Sequence, residues 1–207
     1  MIKIEKVDIY GWEAAIRGMR NPKNSWDKSD SEIDVIAGCP CFVIGNNDLK
    51  LMKTLAKAGS DHGKFLRMIT VTLDITAPLY WWKEFDTYKV GTVADSCSTM
   101  HKIHAKEFTL DDFSYEHLLN QERYVLETII EILNEDRLYF INTKDKDYWW
   151  QMIQLLPSSY NQKRTVQLNY QVLKAMYFAR KNHKLDEWRT FCEWIETLPY
   201  SELITEV

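Results

Sequence analysis

The sequence predicts an α+β fold, and three observations carry that prediction. Two segments alternate apolar and polar residues, "IKIEKVDIY" from Ile2 and "KFLRMITVTLDIT" from Lys64, and the second is rich in β-branched side chains. Other segments repeat apolar residues at helical spacing, most plainly Leu118 to Leu138, where Val125, Leu126, Ile129, Ile130, Ile132 and Leu133 share one broad face. The strand signals lie in the first half and the second half is mostly helical, as in a fold that segregates its sheet and helices. At 207 residues the chain fits one domain spanning 1–207 and is long enough to bury a real core.

The elements follow in order. After the first strand, "GWEAAIRGM" reads as a short helix. Arg20 to Ser31, "RNPKNSWDKSDS", is polar and carries turn residues, so it reads as a loop and a candidate for mobility. "GNNDLKLMKTLAKAG" opens with its own Asn/Asp cap, repeats apolar residues at helical spacing and ends at Gly59. The strand from Lys64 stops at Pro78, and the period from Leu79 to about Lys89 is helical. "KDKDYWWQMIQLLP" is a helix stopped at Pro157, and Leu168 to Asn182 and Leu185 to Thr197 are two more, joined at "KNHK".

Composition excludes several classes. Lys and Arg number 26 against 30 Asp and Glu, a net charge of −4, so nothing global calls for a nucleic-acid polymer or an anionic membrane as partner. No apolar run approaches the roughly 20 residues of a spanning helix, and no charged-then-apolar leader follows Met1. The expectation is a cytoplasmic protein. Cys39 and Cys41 form "CPC", and joining them to His101 or His104 would make a metal site, but at a spacing that matches no common zinc pattern. Reduced structural thiols are the ordinary alternative. Eight Trp and eleven Tyr suit ligand pockets and subunit interfaces, and equally suit a core. No phosphate-binding glycine loop, dinucleotide fingerprint, nucleophile elbow or HExxH occurs.

Longer patterns say more. In "LPSSYNQKRTVQLNYQVLKAMYFARKNHKLDEW", Leu156-Pro157 is followed by Asn169 near a helix start, Arg180 three turns later, then His183 and Trp188. Upstream, a strand leads into Ala77-Pro78, a helix, and the functionally crowded stretch "WWKEFDTYKVGTVADSCSTMHKIH" from Trp81 to His104. This order resembles the flavin-dependent thymidylate synthases from about Gly59 to Trp188. In that family the LP pair precedes a flavin helix, and the Ala-Pro step precedes the signature RHRxxSxNxxSxR. Arg180 and Asn169 keep the family's mutual spacing; Trp188 and His183 are each displaced by one residue. His62 matches the family's flavin-contacting histidine.

The signature itself is rewritten. Its RHR falls on Thr87, Tyr88 and Lys89, its serines on Thr92 and Cys97, its asparagine on Ala94 and its last arginine on Thr99. An acidic residue is kept as Asp95 and a cation as Lys83, while arginines elsewhere in the family become Ile153 and Gln171. Charge-assisted Arg–phosphate bonds are worth roughly 1.5–3 kcal/mol each, so losing two costs about a hundredfold or more in affinity unless they are replaced. Lys64, Arg67, Lys89, His101 and Lys102 are cations available nearby in sequence, although a lysine cannot repeat an arginine's bidentate fork.

The resemblance implies a twisted antiparallel sheet with long packed helices and a homotetramer with sites at its interfaces. It implies FAD as cofactor, with reduced nicotinamide and methylene-tetrahydrofolate as co-substrates, and a small-molecule nucleotide of the uridylate type as substrate, altered because the phosphate-binding arginines are missing. His62, Tyr88, Lys89 and Asn169 would meet the cofactor; Lys83, Asp95, Cys97 and Arg180 would meet the substrate. No residue is assigned as catalytic. Each also has an ordinary use: His62 as a turn residue, Asn169 as a helix cap, Arg180 in an ion pair with Asp186 or Glu187, Cys97 as a small buried residue, Trp81 and Trp82 as core. A non-catalytic homologue kept as a nucleotide- or flavin-binding or structural oligomer is the alternative. A chain without a sheet ahead of the Pro78 helix would be an unrelated helical module.

Overall fold

Alternation along Thr70–Pro78 is realised as a strand. Val71, Leu73, Ile75 and Ala77 are buried on one side while their neighbours are half-buried on the other. The computed structural model describes residues 1–36 and 38–206, and the side chains of Ile36, Cys39 and Pro40 are also outside the description. Strands β1 (Lys3–Tyr10), β4 (Thr70–Pro78), β6 (Asn161–Asn169) and β5 (Val93–Ser96) form a four-stranded antiparallel sheet in the order β1-β4-β6-β5. Strands β2 (Glu32–Ile36) and β3 (Cys39–Val43) form a separate antiparallel hairpin that pairs Ile33 with Phe42. The helices are α1 (Trp12–Arg20), α2 (Asn46–Lys57), α3 (Leu79–Phe85), α4 (Asn120–Thr143), α5 (Lys146–Leu155), α6 (Tyr170–Arg180), α7 (Asp186–Glu196) and α8 (Glu202–Thr205).

Several boundaries differ from the sequence expectation. Lys64 to Met68 is not strand but part of a 3-10 turn, Gly63–Met68, and β4 begins at Thr70. Helix α3 stops at Phe85, where the N–H of Asp86 closes back on Trp82 (2.9 Å), rather than continuing to Lys89. The long helix is Asn120–Thr143, starting and ending later than Leu118–Leu138. Strand β6 was not expected: within "NQKRTVQLN" only Val166 and Leu168 are apolar, too few for a period-2 signal. Strands β2 and β3 were likewise not expected.

By internal packing the chain divides into two compact units, one of Met1–Glu5, Asp74–Thr87 and Ala94–Thr165, the other of Lys6–Leu73, Tyr88–Val93 and Val166–Val207. In the first, α4 and α5 pack as an antiparallel pair on Ile103, Phe108, Phe113, Leu126, Leu133 and Met152. Helix α3 starts against the segment that follows Pro157: the N–H groups of Leu79 and Tyr80 donate to the carbonyls of Tyr160 and Ser158, both at 3.0 Å. Those are orphan donors of a helix start, satisfied by chain rather than by a side-chain cap.

In the second unit, Gly11 turns β1 into α1 with φ +94°, and a Cβ there would lie 2.0 Å from the Met68 carbonyl oxygen. Trp12 meets Tyr170 and Tyr200 edge to face at 5.1 and 5.2 Å. The expected loop from Arg20 to Ser31 forms two short 3-10 turns and is tied down. Asp48, fully buried in α2, accepts hydrogen bonds from Arg20 Nε (2.6 Å), Ser29 Oγ (2.7 Å), Ser31 Oγ (2.7 Å) and the N–H groups of Asp30 and Ser31. Arg20, only 4% exposed, also donates to the carbonyls of Ser25 and Lys28. The cap of α2 is not its own Asn/Asp, as expected, but Asp30 of this loop, which accepts the N–H groups of Asn47 (2.8 Å) and Asp48 (3.0 Å). Among the described residues no helix is long and apolar enough to cross a membrane.

Candidate functional site

Arg180 closes α6, and its guanidinium is held by aromatic side chains. Its Nε donates to the Tyr88 phenol oxygen at 3.0 Å. Its Nη1 lies 3.1 Å from His183 Nε2, while His183 Nδ1 lies 3.2 Å from the Leu185 N–H, so the imidazole tautomer decides which of the two donors it accepts. The charge sits 4.8 Å from the Trp188 ring centre and 5.6 Å from that of Tyr88, and the two rings meet edge to face at 6.1 Å. Such cation–π contacts are worth about 0.5–2 kcal/mol, more where water is excluded. Trp188 is fully buried, while Tyr88, His183 and Arg180 are half-buried. The acid at 186 bonds to Arg189.

The opposite end of α6 gathers two more predicted residues. Asn169 does cap the helix, its Oδ1 accepting the Val172 N–H at 3.0 Å. Its Nδ2 faces Gly91, where a Cβ would lie 2.9 Å from that nitrogen and 3.2 Å from Val172 Cγ2. Gly91 also has φ +79°, so the backbone after Lys89 presses on the start of α6 in a way only glycine tolerates. A Cβ on Gly63 would lie 3.5 Å from Gln171 Oε1, which brings the turn carrying His62 to the same helix start. His62, Lys64, Arg67 and Lys89 are all exposed. An exposed cationic and donor-bearing rim beside a helix N-terminus favours anions.

Lys83, Asp95 and Cys97 lie in the other unit. Lys83 is exposed on α3, and Asp95 is exposed on β5, which is exposed throughout. Cys97, expected as a small buried residue, is exposed: its N–H donates to the Lys163 carbonyl (2.9 Å) and its own carbonyl accepts from Gln162 Nε2 (2.7 Å), so its backbone is held at the sheet rim. Trp81 and Trp82 are core, 0% and 1% exposed, and Trp82 Nε1 donates to the Gln162 carbonyl. Arg164 stacks 4.2 Å over Trp82 and bonds Asp86 at 2.8 Å. Burial pushes the Cys192 thiol up to about 11, which keeps it protonated and inert near neutrality. Among the described residues no group of His, Cys, Asp and Glu could hold a metal ion; the Cys39 side chain of the "CPC" pair lies outside them.

Sequence spacing placed Asn169 and Arg180 at the two ends of one helix and singled out Tyr88 and Trp188, but not their contacts with the guanidinium. Tyr88 contacts Arg180 across 92 residues of chain, and no local pattern announces that. Trp188 supplies the main aromatic face, and nothing in the spacing distinguishes such a face from core.

No protein-family model and no curated protein matches the chain. Solved structures do. The chain is similar to the flavin-dependent thymidylate synthase ThyX from Helicobacter pylori, complexed with FAD and dUMP, at TM-score 0.72 and 14% identity over 99% of this chain and 98% of that one. It is also similar to the UMP/dUMP methylase PolB from Streptomyces cacaoi, bound with 5-Br dUMP, at TM-score 0.63 and 13% identity over 98% and 93%. At such identities the likeness establishes the fold, and the fold is that of the flavin-dependent thymidylate synthases.

Proposed function

We propose that the chain binds FAD and a pyrimidine nucleotide of the uridylate type and transfers a one-carbon unit to its ring, with a substrate altered from unmodified deoxyuridylate. One observation carries this reading: an arginine at the end of α6 is oriented by Tyr88, His183 and Trp188, instead of lying loose on the surface. Orienting a long cation in advance removes part of the ordering cost of binding an anion or a ring carbonyl. Arg180 is the substrate contact in this reading. Lys83 and Lys89 are substitute phosphate cations, and Asp95 and Cys97 are further substrate-binding residues.

The donor set fits a flavin dinucleotide. Lys64, Arg67 and Lys89 are exposed cations suited to its diphosphate, and His62 and the Asn169 amide offer donors beside a helix N-terminus. Tyr88 is assigned to the cofactor less directly, since its ring and hydroxyl already hold Arg180. Bound FAD would supply hydride transfer, with reduced nicotinamide as the hydride source and methylene-tetrahydrofolate as the carbon donor. The assembly is a cytoplasmic homotetramer with interfacial sites, in keeping with an aromatic-rich chain. The likeness to proteins solved with FAD and dUMP, or with 5-Br dUMP, supports the ligand classes.

A second reading is a non-catalytic homologue. The same Tyr88 favours it, because the phenol oxygen occupies a donor of the one arginine retained at a family position. Titration of the purified protein with FAD, followed by visible absorbance, tests the first reading; no flavin uptake sinks it. Turnover of a uridylate with folate and reduced nicotinamide, abolished by Arg180→Ala, eliminates the second.

A further inference from the structure

Helix α1 carries a second, separately built pocket. Glu13, Ile16, Arg17 and Arg20 recur at i, i+3, i+4 and i+7, so they share one helix face. Facing them are Trp26 and Ser29 of the following loop and Phe42 of β3. The space between is about 490 Å³, the size of sites that take one small molecule. None of these residues is among those assigned to flavin or nucleotide.

The walls and the floor define what fits. Trp26 is 50% exposed, yet its Nε1–H donates to Asn21 Oδ1 at 2.8 Å, which fixes the indole as a wall of the pocket. An exposed indole held in place gives up rotamer freedom that no core packing returns. The floor is electrically closed, because Arg20 is matched to Asp48 and both serine hydroxyls point to the same carboxylate. The rim is also balanced, with Arg17 bonded to Glu13 at 3.3 Å. Two aromatic walls, an aliphatic back and no net charge do not suit a phosphate or carboxylate.

We infer that this pocket is a binding site for a flat, uncharged aromatic heterocycle of one or two rings, stacked on the Trp26 indole with Phe42 in the lining. Its chemistry is independent of the nucleotide reading. The test is titration of the full chain with quinoline, neutral near pH 7.5, followed by ligand-observed NMR and by the Trp26 indole N–H resonance. Saturable binding that shifts that resonance, weakens about tenfold in Trp26→Ala and in Phe42→Ala, and is unchanged in Arg180→Ala is expected. Trp26 is a half-exposed wall, so its removal leaves the fold intact, and circular dichroism of each variant verifies that. Absence of saturable binding overturns the site. So does binding that survives Trp26→Ala, or that disappears in Arg180→Ala, since quinoline would then occupy the α6 site.

Discussion

Two arginines of one unit are seated by opposite means. Arg20 is almost fully buried against the carboxylate of Asp48 and two backbone carbonyls. Arg180 is half-buried against a phenol, an imidazole and an indole face. The first arrangement spends the cation on the fold. The second sets a cation beside a phenol, an imidazole and an indole face. On the proposed reading the first is a structural arginine and the second a binding one.

The largest effect tests the Arg20 side. Asp48→Ala leaves a buried guanidinium without its countercharge, so unfolding in urea should show a loss of about 3–5 kcal/mol. Replacing both partners by apolar residues of similar volume should recover most of it, because a buried pair contributes little net stability over a well-packed apolar pair. Acid tests the same pair. Burial alone would raise the Asp48 pKa, but hydrogen bonds from Ser29, Ser31 and Arg20, with the Arg20 charge, outweigh it and hold the carboxyl below its ordinary value of 3.8. A depressed folded pKa contributes stability that is present above the unfolded value and lost as pH falls through the folded one. Stability should therefore drop below about pH 4 in the native chain, and drop less steeply there in Asp48→Ala.

Arg180→Ala should show the reverse profile. Stability should fall by only about 0.5–2 kcal/mol, the size of a cation–π contact. Uridylate affinity, measured by titration calorimetry, should fall about ten- to a hundredfold, the value of one charge-assisted bond. A stability loss as large as that of Asp48→Ala, with affinity unchanged, would make Arg180 a structural arginine too. Gly91→Ala is next: a left-handed φ and a close approach to Asn169 Nδ2 should cost about 1–2 kcal/mol in thermal or urea unfolding.

The two arginines also mark what sequence reading reaches. The relative placement of Arg180 and Asn169 was legible because Asn169 caps the helix that Arg180 ends, and β4 because four alternating apolar residues signal a buried face. Arg20 and Asp48 were not legible: they stand 28 positions apart with a polar loop between them, and polar residues in a loop read as solvated unless something buries them. Strand β6 was missed because pairing with β4 and β5, a long-range property, stabilises a segment with few apolar residues. The Ala-Pro step marks the start of the crowded stretch, but the division of that stretch between two compact units is a property of packing that no spacing encodes.

Tyr88→Phe is the smallest change and the most discriminating. It removes one oxygen and keeps the ring, so the aromatic face 5.6 Å from the guanidinium survives and only the 3.0 Å bond to Nε is lost. The expected stability loss is about 0.5–1.5 kcal/mol. The sign of its effect on uridylate affinity matters more than the size. If the phenol seats Arg180 for a ligand, its loss lets the side chain leave its oriented rotamer and affinity falls severalfold. If the phenol instead occupies the donor that a ligand would need, its loss frees Nε and affinity rises. A fall supports the binding-site reading and a rise supports the plugged, non-catalytic one. Titration of both variants under identical salt distinguishes the two, because screening shifts them equally.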